Sequence, residues 1–208
     1  MSVQLYLSLL GIVVAAALAT ALLEIHKESR RINKMDIEIE KMRQMESKLA
    51  AFYEKNGISP GTDLEAIAQI LKVTWGKGSD NIKSQAVLSN PDKRGIREVT
   101  FKEGLSQKTK RFVFAHECAH LINGDSAPLT RPLGRNKPMI EQLADYTAAA
   151  LLMPLDEVYD YLEKNGYQKA TKRRKIELVC KLCKTYEVTE MIAVRRIKEV
   201  YAIKQETL

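Results

Sequence analysis

Along the first quarter of the chain the hydrophobic pattern changes twice. Residues 3–23 carry no charged side chain, and Gln4, Ser8 and Thr20 are their few polar ones. As a helix rising about 1.5 Å per residue this stretch reaches about 31 Å, the thickness of a bilayer hydrocarbon core. Lys27, Arg30, Arg31 and Lys34 follow it and no basic residue precedes it. The positive-inside rule then sets the amino terminus outside and the rest of the chain in the cytoplasm, as a single-pass anchor. A cleaved signal peptide is the competing reading, because Ala17-Leu18-Ala19 has the form of a cleavage site. The missing basic start and the long apolar run weigh against it. Beyond the span, Ile25, Ile32, Met35, Ile39, Met42, Leu49 and Tyr53 fall on a and d positions of one heptad frame, with Glu28 and Glu46 as misfits. This predicts a helix over residues 24–56 with a narrow apolar seam, covered by a second copy in a parallel dimer or by the body of its own domain. Gly11, Ala15 and Ala19 form a small-residue face that suits a homodimer.

The remaining pattern alternates short elements. Asn56-Gly57, Pro60 and Gly61 break the heptad helix, and Asp63 is placed to cap a short helix ending at Leu71. Residues 85–89 and 96–102 read as strands of a small antiparallel sheet, with "WGKGSDN" and "SNPDKRG" as turn clusters. Ser106 is placed to cap a helix over residues 107–122. A loop rich in proline, glycine and basic residues follows over 123–138, then a helix over 139–153 that stops at Pro154. Two more helices, 171–186 and 190–203, are joined by a tight "EVT" turn. The fold class is therefore α+β. Its regions are an anchor (1–23), the heptad helix (24–56), a central domain (60–165) and a C-terminal helical region (168–208).

Charge and cysteine content narrow the function. The net charge is +7, and residues 168–208 hold eleven Lys/Arg against five Glu. Lys172, Arg173, Arg174 and Lys175, then Arg195, Arg196 and Lys198, could line a phosphate-contacting face, and Lys169 to Lys175 could equally sit against anionic lipid. Core-spaced Ala193, Ile197 and Val200 favour a packed helix pair instead, so direct DNA binding is not expected. Cys118, Cys180 and Cys183 are too few for a disulfide framework. Cys118 points away from the histidines of its helix, and Cys180 and Cys183 align with Ile176 and Val179 as an apolar stripe. Trp75 supports no inference.

The chemistry sits in "FVFAHECAHLINGD", residues 112–125. His116 and His120 are one helical turn apart, so both imidazoles project from one face and can bind one ion. Glu117 lies between them, in the H-E-x-x-H arrangement where a metal acidifies water and a carboxylate takes its proton. The third ligand has to be a carboxylate. The remaining histidine, His26, is far along the chain, and Asn123 and Ser126 stand where a three-histidine pattern needs Gly and His. Glu141 and Asp145 in "MIEQLADYTAAALLMP" are one turn apart on a helix of Leu, Ala and Met. Glu141 suits the metal, and Asp145 suits the free ring N–H of a histidine ligand. The site is zincin-like, with Zn2+ as the expected ion, although the same donors tolerate Mn or Fe.

"FVFAHECAHLINGD" followed by "EQLADYTAAALLMP" resembles the ImmA/IrrE metallopeptidases of bacteria and their mobile elements. "LSQKTKRFVFAHE" fits that family's entry into the motif helix, and "LVCKLCKTYEVTEMIAVRRI" resembles its helix-turn-helix-like end. The resemblance covers residues 64–200. It implies cleavage of a helix-turn-helix repressor to release silenced genes, with His116, His120 and Glu141 on zinc and Glu117 as the catalytic carboxylate. The apolar span and heptad helix depart from the family pattern and set the expected location at the bacterial cell membrane. Residues 99–101 are expected to offer an open strand edge to an extended substrate. Arg131, Arg135 and Tyr146 are conceivable oxyanion donors. Two alternatives remain: an anchored, non-enzymatic regulator that binds a partner or DNA, and a membrane quality-control protease.

Overall fold

The computed structural model describes residues 39–82, 84–125 and 138–205. The apolar span, its small-residue face and the first heptad positions (Ile25, Ile32 and Met35) lie outside these residues. Among the described residues no helix is long and apolar enough to cross a membrane.

Helix α1 (Ile39–Asn56) buries Met42, Met45, Leu49 and Tyr53. These positions are spaced by three, four and four residues, a period near 3.6 that replaces the strict heptad of the sequence reading. The reason is the partner. The face packs on helices of its own chain, α3 (Gln107–Asn123), α4 (Met139–Leu152) and α7 (Glu190–Gln205), so Met42, Leu49 and Tyr53 are not open to a second copy. Helix α2 (Leu64–Leu71) buries Leu64, Ile67 and Ala68 and ends at Lys72 in the left-handed conformation.

Three strands follow: β1 (Val73–Ser79), β2 (Ala86–Leu88) and β3 (Arg97–Lys102), in the order β1-β3-β2. The sheet is mixed, correcting the antiparallel expectation. β2 runs antiparallel to β3 with Val87 opposite Thr100, but β1 runs parallel to it with Trp75 opposite Val99. β3 is central and paired on both sides, so Val99 to Phe101 offer no free edge; the edges are β1 and β2. β1 escapes a propensity reading because its glycines look like a turn. A side chain at Gly76 would sit 2.7 Å from the Val99 carbonyl oxygen, and the register shifts between Trp75 and Gly78. Glycine is what allows that close approach at a bulge. Trp75 then stacks on Phe114 of α3 at 4.1 Å and on Phe101 at 5.2 Å, pinning the strand to the motif helix.

α3 is the centre of the molecule. Ser106 Oγ accepts the Thr109 N–H at 3.2 Å to start it, and every residue from Phe112 to His120 is buried. A helix buried all round must be covered on every side. The sheet, α1, α2 and α4 supply that cover. α4 is lined with Ala144, Ala148, Ala149 and Ala150, small residues that let it lie close to α3. Pro154 stops α4 but also begins α5 (Leu155–Lys164), a helix absent from the sequence reading. Pro tolerates a helix start because the first N–H groups have no internal partner. α6 (Lys172–Thr185), capped by Thr171 Oγ1, and α7 complete the chain, and α7 packs on α1, α4, α5 and α6. Regions read as separate along the sequence thus contribute to one compact unit.

Candidate metal centre

His116 and His120 project from the same face of α3 toward Glu141 in the first turn of α4. Their Nε2 atoms are 3.1 Å apart and the ring planes are nearly perpendicular, at 88°. Glu141 meets both: Oε2 lies 3.2 Å from His116 Nε2, and Oε1 lies 3.5 Å from His120 Nε2. One donor atom from each of the three residues lies within 4.8 Å of the other two, and all three residues are buried. Ligand atoms held about 2.0–2.2 Å from a tetrahedral ion would be about 3.4 Å from one another, close to these spacings.

Each ring also has a carboxylate on its outer side. His116 Nδ1 lies 2.9 Å from Asp145 Oδ1, and His120 Nδ1 lies 2.8 Å from Asp125 Oδ2. With Nδ1 turned to these carboxylates, each ring would present Nε2 to an ion at the centre. The His116 contact is bent from the ideal hydrogen-bond line, so Asp145 holds that ring through charge more than through direction. Two deprotonated nitrogens and a carboxylate at these distances would repel unless a proton or a metal cation lay among them. Glu117, Glu141 and Asp145 are all buried here, and Arg195 reaches Asp145 at 3.4 Å. The excess of negative charge that remains is costly in a poorly solvated place. The donor set therefore fits a divalent cation.

Without a metal, protons take over part of that role. Burial pulls the His120 pKa down, but hydrogen bonds to Glu141 and Asp125, with the charges of Glu141 and Glu117, outweigh it and raise the net value. Burial pushes Glu141 up, and the two histidines more than reverse that, holding it at about 2. Glu117 is buried one residue from His116, and its charge acts on His120.

Asp125 was not found in the sequence. It lies beyond the end of α3, where periodicity no longer says what faces what. Gly124 takes the left-handed conformation (φ 81°), and the Asp125 N–H bonds back to the His120 carbonyl at 2.9 Å. That closing turn returns the Asp125 carboxylate to the imidazole five residues earlier. Arg195 was also missed in this role, because it reads as one of several basic residues on an outward face. Arg196 in fact has no exposed surface, and Arg195 is half-buried and engaged with Asp145 and Glu199. Of the conceivable oxyanion donors, Arg131 and Arg135 lie outside the described residues. Tyr146 is committed elsewhere, its hydroxyl donating to Glu46 Oε1 at 2.6 Å. Cys118 is fully buried in the core, where burial pushes its thiol pKa up. Cys183 is buried and Cys180 partly so, and both are free thiols.

Residues 80–198, more than half of the chain, match the family model of the IrrE N-terminal-like domain, peptidase family M78. No curated protein matches the chain. The matched stretch contains His116, Glu117, His120, Asp125, Glu141, Asp145 and Arg195, and it excludes Glu46 and Glu199. The buried cluster of His116, His120 and Glu141 lies within the matched residues: the chain belongs to the ImmA/IrrE family of M78 peptidases.

Proposed function

We propose that the chain is a zinc-dependent endopeptidase that cuts a protein substrate, a helix-turn-helix transcriptional repressor, and so derepresses genes. The observation that carries the reading is the convergence of His116 Nε2, His120 Nε2 and the Glu141 carboxylate, one donor atom of each lying within 4.8 Å of the other two. Two imidazoles and one carboxylate form a donor set used by catalytic zinc. Held there, the ion supplies Lewis acidity to a peptide carbonyl and to the water that attacks it. Glu117 takes the proton of that water and delivers it to the departing amine. Asp145 and Asp125 keep the two rings aimed throughout. An extended substrate segment adds to an outer strand of the sheet, which among the described residues is β1 or β2. The repressor as substrate rests on the family resemblance. The membrane tether, amino terminus outside and peptidase domain in the cytoplasm, rests on the length and apolarity of residues 3–23 and the basic residues behind them.

The test uses the purified full chain. Elemental analysis is expected to give about one zinc per chain, lost in His116→Ala. Co-expression with a helix-turn-helix repressor is expected to give one specific cut that disappears in the same variant. A parent protein without metal sinks the enzyme reading. A metal-loaded protein that degrades misfolded membrane proteins broadly, and leaves the repressor whole, replaces the repressor by a quality-control role.

A further inference from the structure

Asp145 has two oxygens with different neighbours. Oδ1 faces His116 Nδ1 at 2.9 Å, and Oδ2 faces Arg195 Nη1 at 3.4 Å. Arg195 comes from α7, near the other end of the chain, and its Nε donates to Glu199 Oε1 at 2.7 Å. Glu199 is fully buried and lies 3.7 Å from Arg196 Nη1. Arg196 has no exposed surface at all: Nε donates to the Met153 carbonyl at 2.9 Å, and Nη2 donates to Glu46 Oε1 of α1 at 2.8 Å. Signs alternate along this row, from Glu46 through Arg196, Glu199 and Arg195 to Asp145. It ends on the ring of a metal-site histidine.

We propose that Arg195 is a positioning residue of the metal centre, acting through Asp145 on His116. The inference rests on the reading of His116, His120 and Glu141 as a metal site. The physical case has three parts. The contact from Asp145 to His116 is bent, so the ring's aim depends on where the carboxylate is held, and Arg195 grips its outer oxygen. Asp145 is buried one helical turn from the equally buried Glu141; Arg195 offsets the cost of that second buried carboxylate and keeps it close to the ring. Arg195 is itself held in place by Glu199, with which it shares a turn of helix at i,i+4 spacing. Outer-shell partners of this kind tune metal affinity by about 10–100-fold.

The full chain is compared as parent, Arg195→Met, Arg195→Lys and Glu199→Gln, each titrated with Co2+, whose visible absorption reports the ligand geometry. Arg195→Met is expected to bind Co2+ about tenfold or more weakly, with shifted absorption bands. Arg195→Lys restores the charge and is expected to recover most of the affinity and the parent spectrum. Glu199→Gln keeps volume and loosens Arg195, and is expected to weaken Co2+ by a smaller factor in the same direction; it decides the matter alone if Arg195→Met does not fold. A role in packing only would lower Tm and leave the Co2+ affinity and spectrum of the folded variants at the parent values, and that result overturns the proposal while leaving the metal site standing. A parent that binds no Co2+ overturns both.

Discussion

Two buried polar clusters share helix α4 and differ in how their charges close. At Tyr146, the fully buried Arg196 guanidinium lies over the aromatic ring at 5.2 Å and meets Glu46, Glu199 and the Met153 carbonyl. Arg196, with Arg195 on the other side of Glu199, balances the two acids. At Glu141 and Asp145, imidazole nitrogens and carboxylates face each other, with acids in excess. The first cluster draws its counter-charges from the protein's own side chains. The second is complete only with something added. A closed buried network fixes how elements pack, whereas an open one of this composition is built to hold an ion.

That contrast can be broken by substitution. The largest effect is expected from Glu117→Gln, which should retain metal and lose about 10²–10⁴-fold in cleavage rate; full activity would remove Glu117 from its role. Arg196→Met should do the reverse. It removes a buried cation from between Glu46 and Glu199, costs about 3–5 kcal/mol in chemical denaturation, and leaves the metal stoichiometry of the folded protein intact. A loss of metal with unchanged stability would show that the two clusters do not divide as described. Asp125→Asn keeps an acceptor near His120 but removes its charge. It should weaken metal binding by about tenfold, the low end for such partners, with little change in Tm.

The smallest effect concerns pH. In metal-free protein His120 has its pKa raised above 6.5, so its stabilising contribution is full below that value and is lost as pH rises through the folded pKa. Glu141 is lowered from 4.5 to about 2, so its contribution is present above 4.5 and is lost as pH falls towards 2. Both act together between pH 4.5 and 6.5. Chelator-treated protein should therefore show a higher Tm at about pH 5.5 than at about pH 8 from this pair, and His120→Gln should flatten the difference. Added divalent metal should reverse it, since deprotonated imidazoles bind metal best.

Much of the centre was legible because helical spacing is a strong signal. His116, His120, Glu141 and Asp145 could be brought together from two turns of helix and the apolar residues around them, and Ser106 marked where the motif helix begins. What was missed depended on tertiary contact. β1 hides behind glycines that serve its bulge, and α5 hides behind a proline that ends one helix and opens another. Glu46 looked like a flaw in a heptad seam until Arg196 and Tyr146 were seen to meet it. Arg195 and Arg196 looked like surface charge because a sequence shows a side chain's sign and not its cover. The same cover explains why the described part of the seam follows a period near 3.6: it lies against three helices instead of one coiled partner.

The position of Glu46 has a practical side. A truncation drawn at the borders of the family match would start at residue 80 and stop at 198, cutting away both acids that neutralise Arg196. The fragment would keep every metal-binding side chain and yet leave the Arg196 guanidinium with the Met153 carbonyl and neither of its acids. The smallest autonomous piece of this molecule therefore reaches back through α1 and forward through the end of α7, well past what motif boundaries alone would suggest.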